Sequence, residues 1–403
     1  MDQRRQSPER GHNATRIRAQ NARMVLGIVR QAQAISRAEI ARQTGLSPPA
    51  VSAIMAELEG AGHVEKKSRR KGNMGTPSTL YGIRRGSAFS IGLHIGRRST
   101  SAVLQDLSGA VIREAEHPYL IPQVCDVVRF IDATIKAWGA SLPDLETRLL
   151  GVGICTPQIF DFAAQDIGYP DTIAAEWAAF DAATAFAPLC DVPVFVENDV
   201  NAAALAELEW GEGAAARDFF YINIGTFIGA GLVLDGALLR GPQGLAATFG
   251  PFPVAPSRLA SATTPRGDFD YLFRRASLFV LLKHLRHGGF PVIQESALAA
   301  LDEVCAPLVA EWVDDAARAL AQAIQGVVAI IDVGTVIIDS PLPRDILAAL
   351  VEQIQQALDA NAGWMIVRPR ILPGTAGAHP SARGAAMVPF SEVLGIGPAR
   401  PDM

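Results

Sequence analysis

The chain has 403 residues, of which 49% are apolar and 19% charged, and its formal net charge is −5. That length exceeds one ordinary domain of ~150 residues, and the composition excludes an intrinsically disordered chain. The charge is split: residues 1–86 carry 16 Lys and Arg against 6 Asp and Glu, a net of +10, while residues 87–403 carry a net of −15, so a polyanion would meet the basic head and be repelled by the body.

Residues 1–14 read as a disordered tail. Met24, Val25, Ile28 and Val29 recur at helical spacing and predict a helix over Ile17–Arg30. Ser36, with Glu39 three residues on, forms a capping box for a second helix, Arg37–Gln43, which Thr44-Gly45 ends. Ser47 is an N-cap and Pro48 sits at the first helical position of a third helix running to about Gly60. Its core stripe is Val51, Ile54, Met55 and Leu58. Helix, tight turn, helix is the helix-turn-helix layout, whose second helix enters the major groove by its N-terminal residues. The positions expected at DNA are Ser47, Pro49, Ala50 and Ser52, with Arg37 from the preceding helix. None of the four can bond bidentately to a base, so readout would rest on hydroxyls and apolar contacts. Val64–Lys67 and Ser78–Ile83 read as strands flanking the basic loop 68–75, a β-hairpin wing. Arg69, Arg70 and Lys71 are placed to neutralise phosphates or enter a minor groove, the alternative being a solvated hairpin.

The stretch S-R-A-E-I-A-R-Q-T-G-L-S-P-P-A-V-S-A-I-M-A-E-L-E-G-A-G-H-V, Ser36 to Val64, resembles the winged helix of the ROK family of repressors, reading frames and sugar kinases. The family's wing carries Gly-Arg-Pro before its last strand. Here the triplet is Gly75-Thr76-Pro77, and Arg69–Lys71 stand nearby.

From Phe89 strands alternate with glycine turns. Strands are expected at Ser90–Gly96, Ser101–Asp106 and Ala110–Glu114, then an amphipathic helix at 124–140 and a strand at Leu149–Cys155. Val194–Glu197 is a strand running into Asn198-Asp199, followed by an Ala-rich helix, Asn201–Glu209. Phe219–Gly225, the loop Thr226–Gly231 and Leu232–Leu234 open a second half. A helix at 307–330, a strand at Val336–Asp339, a helix at 343–359 and a strand at Met365–Leu372 close it. Two βββαβα halves are what an actin-like fold needs. The resemblance extends through G-V-G-I-C-T-P at Gly151, E-N-D-V-N-A-A-A-L-A-E at Glu197, I-G-T-F-I-G-A-G-L-V-L-D-G at Ile224 and G-P-Q-G-L-A at Gly241. It implies an α/β protein: a winged helix-turn-helix domain over 15–86, then a two-lobed actin-like ATPase / sugar-kinase (ribonuclease H-like) domain. The lobes are expected at 87–215 and 216–395, the C-terminal helices returning to the first.

The resemblance also implies a ligand cleft. Asp199 matches the family's catalytic Asp, and Asn198 and Asp199 match residues that hydrogen-bond sugar hydroxyls; an N-cap before the helix is the structural alternative for Asp199. Thr156, Gly225, Thr226 and Thr248 complete the expected effector contacts. The kinase parts depart from the family. His94-Ile-Gly96-Arg97-Arg98 stands where kinases read Asp-x-Gly-Gly-Thr, Phe227 replaces a cradle glycine, and Asp339-Ser340 replaces Gly-Gly. Large side chains at such positions keep phosphate from backbone N–H groups. Where the family reads Gly-Glu-Ile-Gly-His, this chain has Thr248 for the Glu and Pro251 for the His. Residues 255–270 hold no Cys or His, and His284 and His287 are expected at the surface, so no metal and no cofactor are expected.

The expected function is a DNA-binding transcriptional repressor of carbohydrate-related genes, without enzymatic activity. It would bind a two-fold operator as a homodimer or tetramer, gated by a small carbohydrate-like effector that Arg97 or Arg98 would favour as an anion. Two alternatives stand: a sugar kinase with a regulatory head, and a DNA-binding protein whose body only dimerises. A cytoplasmic location is expected, since the polar N-terminal stretch has no apolar core, no apolar run suits a membrane, and the four cysteines form no disulfide or metal spacing.

Overall fold

The computed structural model describes residues 9–70, 78–160, 164, 166–189, 191–263, 267–292, 294–300, 303–360, 363 and 365–396. The head comprises α1 (Glu9–Ala32), β1 (Ile35–Ser36), α2 (Arg37–Thr44), α3 (Pro48–Gly60), β2 (Val64–Arg70) and β3 (Ser78–Ile83). α1 begins at Glu9, inside the segment read as a tail, whose residues 1–8 lie outside the described set. The capping box forms: the Glu39 N–H donates to Ser36 Oγ at 3.2 Å, and the Ser36 N–H donates to Glu39 Oε2 at 3.0 Å. Gly45 closes α2 at φ 70°, a left-handed conformation that suits glycine. β1 pairs with β3, so the wing is a three-stranded sheet of order β1-β3-β2.

The first lobe runs β4 (Phe89–Ile95), β5 (Ser99–Asp106), β6 (Val111–Pro118), α4 (Val124–Ser141), α5 (Leu145–Arg148), β7 (Leu149–Thr156), α6 (Asp171–Ala178), α7 (Ala182–Phe186), β8 (Val194–Asn198), α8 (Asp199–Trp210) and α9 (Gly213–Ala216). Its sheet has the order β6-β5-β4-β7-β8, the first three strands antiparallel and β7 and β8 parallel to β4. The second lobe runs β9 (Phe219–Ile224), β10 (Ile228–Leu234), β11 (Ala237–Leu239), β12 (Pro253–Val254), β13 (Asp270–Tyr271), α10 (Phe273–Ala276), α11 (Leu278–His287), α12 (Ala306–Ile331), β14 (Thr335–Asp339), α13 (Arg344–Ala360), β15 (Arg370–Pro373) and α14 (Pro380–Leu394). Its sheet order, β11-β10-β9-β14-β15, repeats that of the first lobe position for position.

α14 crosses back to lie on β4, β7 and α8. Glycines permit this. A Cβ on Gly92 would lie 1.9 Å from the Ala382 carbonyl oxygen, one on Gly153 1.9 Å from that of Ala385, and one on Gly384 1.6 Å from that of Ala202. The head is not a separate ball on a tether. Val25, Leu26, Val29 and Leu58 share one buried cluster with Leu107, Met387, Phe390 and Ile396 of the body.

In the second lobe, Arg275 and Asp315 form a buried ion pair at 2.7 Å. Asp315 also accepts from the Ser257 hydroxyl at 2.8 Å and the Arg258 N–H at 3.0 Å, pinning the segment that precedes β13 to α12. His284 corrects its expectation: it is buried, with Nδ1 2.9 Å from Ser261 Oγ and Nε2 3.1 Å from Glu311 Oε2. It falls on the apolar face of α11 among Leu281, Leu282 and Leu285, and those two partners satisfy its ring. His287 is exposed.

Candidate functional site

Two surfaces matter: the N-terminal end of α3 with the wing, and the cleft between the lobes. On α3, Ser47 is exposed and its Oγ accepts from the Ala50 N–H at 3.4 Å, so the hydroxyl that faces outward also caps the helix. Pro48, Pro49 and Ala53 are exposed, whereas Ala50 and Ser52 are half-buried. Arg37 stacks its guanidinium 4.9 Å from the Tyr81 ring of β3, which ties α2 to the wing. The backbones of Arg69 and Arg70 pair with Thr79 and Ser78 at the far end of β2. Lys71 lies outside the described residues.

The cleft encloses about 670 Å³. Asn198, Asp199, Gly225, Thr226 and Thr248 all line it. Thr156 is not among its lining residues; its neighbours Pro157 and Gln158 are, and the Thr156 hydroxyl turns to the Pro157 carbonyl at 3.3 Å. The turn from β8 into α8 builds the central feature. Asn198, rather than Asp199, is the N-cap: its Oδ1 accepts from the N–H groups of Val200 at 3.1 Å and Asn201 at 3.0 Å. Its Nδ2 donates to Asp199 Oδ1 at 3.1 Å. Asp199 opens the first turn, where the helix dipole favours a carboxylate. Its Oδ2 faces His94 Nε2 at 3.8 Å. Glu197 stiffens the turn from behind. Its Oε1 accepts from the Asn198 N–H at 2.9 Å and Asn201 Nδ2 at 3.1 Å, and its Oε2 from Arg240 Nε and Nη2, both at 2.7 Å. Arg240 leads into the loop that carries Thr248, so this ion pair clamps two walls of the cleft.

Large side chains line the part of the cleft formed by the β4–β5 and β9–β10 turns. Arg97 donates to the Ile159 carbonyl at 2.7 Å and stacks on Phe227 at 5.0 Å and Phe160 at 5.7 Å. Arg98 donates to the carbonyls of Leu120 and Ile167, the latter at 3.0 Å, and lies over Tyr169 at 5.5 Å. Burial pushes the Tyr169 hydroxyl up to about 12. Both guanidinium groups are thus held by backbone carbonyls and aromatic rings while lining the cavity. Glu295, which no sequence feature announced, enters the same cavity and accepts from Thr226 Oγ1 at 2.5 Å. Burial raises its carboxyl, against the Thr226 hydrogen bond and the charges of Arg98 and Arg97. Asp339 is likewise raised by burial, and accepts from the Ser340 N–H at 2.8 Å and the Tyr221 hydroxyl at 3.3 Å. Arg344 and His379 also line the cavity and were not singled out from sequence. Arg240 could have been, as a charge immediately before the matched Gly241 motif. Among the described residues no group of three or more His, Cys, Asp or Glu could hold a metal ion.

The sequence matches the ROK family over residues 90–390 and a winged helix-turn-helix DNA-binding family over residues 18–65. The uncharacterized protein y4fQ of Sinorhizobium fredii is 26% identical over 373 residues, 92% of this chain and 90% of that protein. The xylose repressor of Bacillus spizizenii is 26% identical over 238 residues, 59% of this chain and 61% of its own length. A solved ROK family transcriptional regulator, described as a homolog of the Escherichia coli MLC protein, covers 94% of this chain and 98% of its own with a TM-score of 0.66 and 19% identity, a likeness of fold. The chain belongs to the ROK family and carries a winged helix-turn-helix at its head.

Proposed function

We propose that the chain is a DNA-binding repressor of carbohydrate-related genes, whose affinity for operator DNA is set by a small neutral sugar or polyol in the cleft, and that it transfers no phosphate. The observation that carries this reading is the Arg97–Phe227 stack in the phosphate half of a cleft whose Asn198–Asp199 turn is intact. Asn and Asp together supply donors and acceptors to adjacent hydroxyls. A nucleotide would need small residues where the stack lies. The basic head supplies the polyanion-binding part, and two heads on one two-fold operator supply the affinity that one small domain lacks. A homodimer or tetramer in the cytoplasm fits this role; among the described residues no helix is long and apolar enough to cross a membrane.

Thermal unfolding of the intact protein against D-xylose, other pentoses, hexoses, polyols and ATP–Mg²⁺ tests the reading. A ligand at 100 times its Kd adds about 2.7 kcal/mol. A neutral sugar should raise Tm and shift binding to a duplex that the protein selects from a random-sequence library. ADP release with any sugar would overturn the non-enzymatic reading. DNA binding with silence across the sugars would overturn the effector and leave a body that only dimerises.

A further inference from the structure

α8 has one end in the cleft and the other against the head. Its first residues, Asp199, Val200 and Asn201, line the cavity. About ten residues on, ~15 Å along the helix axis, Glu209 accepts from Nη1 and Nη2 of Arg30 in α1 at 2.8 and 2.9 Å. Both side chains are about 5% exposed or less. The Arg30 guanidinium also touches Met387 Sδ at 3.1 Å and lies 5.9 Å from the Trp210 ring centre; Arg383 of α14 lies 4.3 Å from the same ring. α14 spans the same two regions: Pro380 and Ser381 line the cleft, and Met387 and Phe390 sit in the head's core. Between the ends, the backbone of Gly384 rests on that of Ala202 with no room for a Cβ. Such packing leaves the two helices no slack to absorb a displacement.

We propose that α8 is the arm, and the Arg30–Glu209 pair the joint, through which the state of the cleft sets how the head is seated. This rests on the reading of the cleft as an effector site. The chemistry of the joint makes it two-state. Partial withdrawal would leave one desolvated charge without its partner, so the pair is either closed and dry or open with both groups in water. Coupling of this kind is reciprocal: what loosens the head loosens the cleft turn, and the reverse.

Amide hydrogen exchange of the full-length protein reads this without any ligand. Glu209→Gln should speed exchange at the Val200 and Asn201 amides, which Asn198 caps, by fivefold or more. Asp199→Ala should do the same over residues 24–30 of α1. Exchange over α13, remote from both, should not change in either variant. If each variant alters only its own end, the proposal is overturned. Arg30→Met with Glu209→Met keeps the burial without the charges, and covers a Glu209→Gln chain that does not fold. In that background Asp199→Ala should no longer reach α1, and an undiminished response would also overturn the joint. A silent sugar panel would remove the effector reading while leaving the exchange result to stand or fall by itself.

Discussion

Replacing Gly384 with alanine should unseat α14. The new Cβ would lie 1.6 Å from the Ala202 carbonyl oxygen and 2.4 Å from its carbon. Ordinary C···O approach needs ~3.3 Å, so α8 and α14 must part by about 1.7 Å along that vector, and both atoms it meets are backbone. Overpacking a close-packed interior costs ~1–3 kcal/mol, and the upper end applies where no side chain can rotate away. The same substitution at Gly27 in α1 meets nothing within 4 Å. There alanine should stabilise by ~0.5–1 kcal/mol, because helical glycine forfeits more backbone entropy. Urea titrations of the two full-length variants, followed by far-UV circular dichroism, give opposite signs if the argument holds. A Gly384→Ala midpoint equal to or above that of the parent would refute it.

Asp199→Ala should weaken any stabilising sugar about tenfold or more, as expected for loss of a charged hydrogen-bond acceptor worth ~1.5–3 kcal/mol; an unchanged Tm response would move the site elsewhere. Burial raises Glu295, Glu207 and Asp339, so the folded chain keeps protons that the unfolded chain has released, and stability falls as pH rises from the ordinary carboxylate range through the raised values. Glu295→Gln should flatten that slope, measured as the urea midpoint against pH from the ordinary carboxylate range upward, and an identical slope would count against a raised Glu295. Changing Arg69, Arg70 and Lys71 to Ala should reduce the salt slope of DNA binding by ~0.9 for each phosphate that the wing neutralises; an unchanged slope assigns the wing to solvent. Deleting residues 1–86 should abolish DNA binding and leave the body aggregation-prone, since Leu107, Met387, Phe390 and Ile396 would be uncovered and Glu209 would be without its counter-ion. A monodisperse body with an unchanged Tm would show that the shared core contributes little.

What the sequence discloses is local chemistry. Ser36 with Glu39, Gly45, and Ser47 with Pro48 mark their helix ends because the interacting groups lie within four residues. The two glycine-rich halves are legible for a similar reason, since strand and turn patterns are short-range. The Asn198–Asp199 turn is legible too, but the cap falls on Asn198 and not on Asp199, for which capping was the alternative reading. What the sequence hides is who meets whom. His284 reads as a surface residue of a basic helix, yet Ser261 and Glu311, both more than 20 residues away, close around it. Arg97 and Phe227 each read as a lost glycine-like position. That they stack on each other across the cleft is a fact of tertiary structure. Glu295 sits in a stretch with no pattern, and its position in the cavity follows from long-range packing alone.

The head's seating also has a consequence for the order in which the chain is made. Helices α1 to α3 leave the ribosome early, yet Met387, Phe390 and Ile396, which complete their hydrophobic cluster, are translated some 300 residues later. At ~5–20 residues per second, the nascent head waits roughly 15–60 s for its platform. During that interval Val25, Leu26 and Val29 have only the head's own small core, and Arg30 has no Glu209 until the first lobe emerges. Chaperone occupancy on arrested nascent chains should therefore persist over the head until α14 is out, and a synonymous slowdown before α14 should lengthen it.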